Sequence, residues 1–236
     1  MINKIAKIYQ ILQVIQKGEL KNYNTNLPIE LMILKKIKNG YLIKLGQNTI
    51  EAKSTESIQI GAKYWAYMKE NNGEITLSNL SKQPKIMDFL PKTELVLEKL
   101  DEKNILEFIS KMKESIFEAL INAKDRDEFL LLGTMLWGMK KNIISIVINQ
   151  KNSKRAIVQI RFKNKIEFSA IFPNLGIIEG ILQGNYLLLN VQYEGVKKLL
   201  QKHANKLEGF FLEISLSPKI EIMQDIFENY FLDLEA

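Results

Sequence analysis

Residues 165–193 read KIEFSAIFPNLGIIEGILQGNYLLLNVQY. Three short apolar runs lie in this stretch, KIEFSAIFP, LGIIEGILQ and YLLLNVQY, each rich in β-branched or long aliphatic residues and bounded by proline, glycine or asparagine. Runs of that length with such boundaries are strands, and links as short as QGN join antiparallel neighbours. Pro173 stops the first run, the Leu175–Gly176 step starts the next at once, and Gly180 interrupts it. A proline cannot donate to a sheet ladder, so this point reads as a hairpin edge open to contact with another protein. Pro173, Leu175, Gly176 and Leu182 are the candidate contact residues, and a valine at Gly176 would distort the step if that step needs positive φ.

Working outward, IISIVINQ from residue 143 and RAIVQIRF from 155 precede these runs, and KNK joins RAIVQIRF to the first of them. Together they predict an antiparallel meander. EGVKKLLQKHANKLEG follows as a helix with Val196, Leu199, Leu200, His203 and Leu207 along one side. FFLEISLSP is a further strand, and PKIEIMQDIFENYFLDLEA a closing helix opened by Pro218. Before the sheet, residues 94–141 read as a helical hairpin packed against it. Asp125 caps its second helix, with Glu128 three residues on.

Residues 31–82 have another texture, LMILKKI, YLIKLG, NTIEAKS, AKYWAYMKE and EITLSNL, broken by NG at 39–40 and NNG at 71–73. Five short strands in so few residues predict a small OB- or SH3-like barrel. At its N-terminal side, Ile2, Ile5, Ile8, Leu12 and Ile15 recur at helical spacing. The fold class is therefore α+β. Residues 1–20 are an amphipathic helix, 29–83 a β-barrel domain, and 94–236 an α+β domain comprising the hairpin 94–141 and the sheet and helices of 143–236.

The chain of 236 residues has no cysteine and one histidine, His203. Disulfides, thiolate nucleophiles, thiolate metal sites and any site built on two imidazoles are excluded. No nucleophile elbow, phosphate-binding loop or His-Glu-x-x-His pattern occurs. The carboxylates Asp125 and Asp127 suit a helix start. Gly176, Gly180 and Gly184 lack the dinucleotide spacing and suit bends or close packing. The expectation is a protein that is not an enzyme and that takes no cofactor and no metal. Net charge is +6, with the lysine excess inside residues 1–100 and only Arg126, Arg155 and Arg161 as guanidinium groups. Scattered lysines with so few arginines make a solvated basic surface the reading, and nucleic acid an unfavoured partner. No apolar stretch is long enough for a signal peptide or a membrane span, so the expected location is the cytoplasm.

Residues 172–216 resemble the C-terminal domain of flagellar hook-length control proteins. That family shows a strand ending in proline, a Leu-Gly step, a strand, a turn, a strand, a leucine-rich helix and a final strand. Pro173, Leu175, Gly176, Leu182, Val191, Leu199, Leu200 and Leu207 occupy the matching places. Residues 41–61 are similar to a β-module often found in the same proteins. Only Asn174 lies between the proline and Leu-Gly, where the family has two residues. These 236 residues contain no Pro-, Ser- or Gln-rich ruler segment, so the resemblance implies the switch-type domain and not hook measurement. It implies a flagellar export protein that acts by contact with an export-gate component or a flagellar subunit, with the Pro173–Leu182 edge as the contact, and it leaves open passage of the chain itself through the export apparatus. Two other readings stay open. One is an export chaperone that uses the helices at 2–16 and 94–140. The other is a single-strand nucleic-acid module on the 31–82 barrel, whose aromatic cluster is Tyr64, Trp65 and Tyr67.

Overall fold

The computed structural model describes residues 27–93, 96, 102–149, 155–207 and 209–226, apart from 55 and 57. The helix expected at residues 2–16 lies outside these residues, as does the closing helix beyond 226. The chain is mixed α+β, and its described residues form a closed five-stranded barrel, a second, six-stranded sheet and four helices.

The barrel strands are β1 (Ile29–Ile37), β2 (Gly40–Leu45), β3 (Asn48–Ser54), β4 (Lys63–Asn71) and β5 (Glu74–Lys82). They close in the order β1-β2-β3-β5-β4, with β4 returning to β1. All neighbours are antiparallel except β3 and β5. The two asparagine–glycine pairs are the β1–β2 and β4–β5 turns, as expected. Leu31, Ile33, Ile43, Ala52, Tyr64, Ala66 and Leu77 fill the barrel. Between Trp65 and Tyr67 the β4–β5 register slips, with Asn79 of β5 at φ 51°, and such a bulge bends the strands of a small closed barrel.

A short connector follows, α1 (Ile86–Phe89) and a 3₁₀ turn at Leu90–Lys92, leading to α2 (Glu102–Ile121) and α3 (Arg126–Lys140). The expected cap is present: Asp125 Oδ1 accepts from the Glu128 backbone N–H at 2.9 Å, and Glu128 Oε2 accepts from the Lys124 N–H at 3.0 Å. Together α2 and α3 form the helical hairpin, and α3 packs on the sheet at β6.

The sheet contains β6 (Ile143–Asn149), β7 (Arg155–Phe162), β8 (Ile166–Phe172), β9 (Gly176–Gln183), β10 (Tyr186–Val191) and β11 (Phe211–Leu216), in the order β11-β10-β9-β8-β7-β6. The strands β6 to β10 are the expected antiparallel meander. The sheet is not wholly antiparallel, however. Helix α4 (Glu194–Lys202) carries the chain back across, so β11 pairs parallel to β10.

Residues 218–226 are not the start of a helix. Side chains hold them out of a helix by taking the backbone groups a helix would need. Gln159 Nε2 donates to the Gln224 carbonyl at 2.6 Å, and Gln159 Oε1 accepts from the Gln224 N–H at 3.0 Å. Gln224 Nε2 reaches the Thr134 carbonyl of α3 at 2.5 Å. Asp225 accepts from the Lys85 and Ile86 N–H groups at 3.0 and 2.7 Å, satisfying the start of α1.

Candidate functional site at the junction of barrel and sheet

The four contact candidates do not lie on an edge. Strand β9 pairs with β8 through Phe172–Gly176 to Ile166–Leu182, and with β10 through Val191–Ile178 to Tyr186–Gln183. Its backbone groups are thus taken on both sides, and no donor or acceptor row is left for an added strand. Leu175 is 4% exposed and Leu182 3% exposed, and Pro173 and Gly176 are buried. The expectation of an edge fails because Pro173 stands in the β8–β9 turn, where a missing N–H breaks no ladder bond. The φ of Gly176 is positive, 78°, so the step does need a residue that tolerates the left-handed region.

What the turn does is hold the barrel. The Pro173 carbonyl accepts from Trp65 Nε1 at 2.8 Å. Tyr193, at the start of α4, donates its hydroxyl to the Trp65 carbonyl at 3.0 Å, and the Tyr67 hydroxyl accepts from the Gly195 N–H at 3.1 Å. The Tyr67 and Tyr193 rings meet edge to face, with centroids 5.2 Å apart. A Cβ on Gly176 would lie 3.1 Å from Tyr193 Cε2, so the Leu-Gly step also seats that ring. Burial pushes the Tyr193 hydroxyl well above the ordinary tyrosine range.

Trp65 therefore fills the joint between barrel and sheet, not the barrel interior, which Tyr64 and Ala66 occupy. The sequence carried a signal for this. β4 places large aromatic residues on both faces, and a barrel strand does so when something covers its outside. Tyr193 was missed because the run YLLLNVQY reads as one strand to its end, whereas β10 stops at Val191 and Tyr193 stands at the start of α4. His203 sits at the C-terminal end of α4 and is only partly buried.

Beside the junction lies a cavity of about 410 Å³. Glu30 and Lys63 line it from the barrel, Met87 and Leu90 from the connector, and Arg155 and Pro173 from the sheet. Lys63 Nζ is 2.6 Å from Asp88 Oδ1. One Arg155 nitrogen donates to the carbonyls of both Leu90 and Thr93.

The sheet has two edge strands, β6 on the side where α3 packs and, at the opposite edge, β11. Among the described residues no strand pairs with its outer side. The Phe211 and Ser217 N–H groups bond toward β10, to the Asn185 and Val191 carbonyls. By alternation the backbone groups of Leu212, Ile214 and Leu216 point outward. At the start of this edge Tyr186 and Phe211 stack, centroids 5.1 Å apart, with 68% and 66% of their surface exposed. Among the described residues no helix is long and apolar enough to cross a membrane, and no group of acidic and histidine residues is arranged to hold a metal. No family model, curated protein or solved structure matches this chain.

Proposed function

We propose that this chain is a non-enzymatic flagellar export protein of the hook-length control and specificity-switch kind, working by protein contact. The contact moves from β9 to β11. Supporting this is one observation above all: an open sheet edge that begins at a stacked, solvent-exposed aromatic pair. An extended segment of a partner suits such an edge, because its backbone repeat matches the outward groups of β11 while Tyr186 and Phe211 supply an apolar anchor. The order strand, Pro-x-Leu-Gly, strand, strand, helix, strand in residues 166–216 agrees with the resemblance. We also read the barrel as OB-like, on its strand order and the parallel β3–β5 pair. Its aromatic cluster is turned to the joint and the interior, which favours a structural role over base stacking.

The test is a photo-crosslinking phenylalanine analogue placed at Phe211 in the cells of origin. An export-gate component or flagellar subunit crosslinked there, and lost in Leu216→Pro with an unchanged melting temperature, is the expected result. Leu216→Pro removes an outward N–H without touching the β10 ladder. No crosslink at Phe211 in cells with working flagella would overturn docking at this edge. A crosslink to nucleic acid would transfer the function to another class.

A further inference from the structure

We infer that the cavity between barrel and sheet binds a small zwitterion, an α-amino acid or dipeptide with an apolar side chain. The argument rests on how charge is distributed around it. On the barrel wall, Glu30 of β1 and Lys63 of β4 lie on one strand face, since Glu30 pairs with Trp65 and Met32 with Lys63. Lys63 is engaged by Asp88 of the connector, so its charge is balanced and Glu30 leaves the barrel wall one negative charge in excess. On the sheet wall stands Arg155 of β7. Its hydrogen bonds go to two carbonyls, which fix the guanidinium in place but leave its charge uncancelled. Two partly buried charges of opposite sign thus face one cavity, and no ion pair between them closes it. Half-buried charges left in this state favour a ligand that supplies the missing partners.

A zwitterion supplies both, its ammonium at Glu30 and its carboxylate at Arg155. Leu90, Met87 and Pro173 offer the apolar surface for one side chain. The volume, about 410 Å³, is at the lower end of the range of roughly 300–1,000 Å³ usual for small-molecule sites. It suits one amino acid or dipeptide and is too small for a folded segment. Pro173 joins this cavity to the turn that receives Trp65, so an occupied cavity stiffens the joint between barrel and sheet.

The experiment is a calorimetric titration of the full chain with L-leucine and with leucyl-leucine, beside three charge-deleted analogues: leucinamide, N-acetyl-leucine and N-acetyl-leucinamide. The expected result is saturable binding of at least one zwitterion, with the doubly blocked analogue inert. Glu30→Gln should weaken the zwitterion roughly tenfold, the effect of one partly screened charge pair, while leaving N-acetyl-leucine unchanged. The comparison uses Glu30 because Arg155 also anchors the connector, and its loss would disturb the fold. Leucine against leucyl-leucine distinguishes the free amino acid from the peptide. The inference is overturned if neither zwitterion binds at millimolar concentration, if N-acetyl-leucinamide binds as well as they do, or if Glu30→Gln changes nothing. None of these outcomes bears on contact at β11.

Discussion

Gly180 offers the sharpest test of how the sheet is packed. It stands directly between Phe168 of β8 and Leu189 of β10 in the ladder. A Cβ at this position would lie 2.0 Å from Phe168 Cζ and 2.2 Å from Cε1. Ordinary carbon contacts are roughly 3.5–4.0 Å, so the ring would have to retreat by about 1.5–2 Å. Phe168 is wholly buried, and a core packed to crystal density has nowhere to send it. We therefore expect Gly180→Ala to lower stability by about 2–3 kcal/mol, near the upper end of overpacking costs. In a domain of this size that is a fall of roughly 5–10 °C in Tm. Urea unfolding followed by circular dichroism measures it, and an unchanged m-value shows that the folded state remains compact. The cause is isolated by a second substitution. Phe168→Leu shortens the ring and alone should cost about 1 kcal/mol, but in combination with Gly180→Ala the two should cost at least about 1 kcal/mol less than their sum. Wild-type stability for Gly180→Ala, or strict additivity in the pair, would refute the close-packing argument.

Three further outcomes follow from the junction and the sheet face. Trp65→Phe removes the donor to the buried Pro173 carbonyl and should cost about 1–3 kcal/mol, with the barrel becoming the first part to open in hydrogen exchange. If global and barrel opening energies fall equally, the bond does not hold the joint. Tyr193 has a folded pKa raised above its unfolded value of about 10, so its stabilisation is complete below that pH and is lost as pH rises beyond it. Tyr193→Phe should therefore flatten the alkaline loss of stability above about pH 10, whereas an alkaline limb identical to wild type would count against the assignment. Glu167 behaves in the opposite sense. Arg161 donates to its Oε2 from Nε at 2.8 Å and from Nη2 at 2.5 Å, which holds the carboxyl below its usual range despite partial desolvation. Its contribution is present above about pH 4.3 and disappears as pH falls through the depressed value, so Glu167→Gln should weaken the fold at neutral pH and reduce its acid sensitivity. An acid-unfolding profile superimposable on wild type would exclude this.

By itself the sequence determined whatever depends on neighbours along the chain. Strand runs, Asn-Gly turns, the Asp125 cap and the β6–β10 meander follow from alternation, φ preferences and short connections, which are local quantities. Tertiary structure alone decided which faces and edges remained free. A proline in a turn and a proline on an edge strand look alike in sequence, because both lack only an N–H. Whether strands flank it depends on β8 and β10 arriving on either side. Trp65 faces the joint and not the barrel interior because the Pro173 carbonyl and Tyr193 lie more than a hundred residues along the chain. Residues 218–226 read as the start of a helix yet form none, because Gln159 and Thr134 engage Gln224 and the N–H groups at the start of α1 engage Asp225. The open edge and the charged cavity were not legible for the same reason. Among the described residues each is defined by what fails to arrive beside it, and a linear pattern carries no record of that.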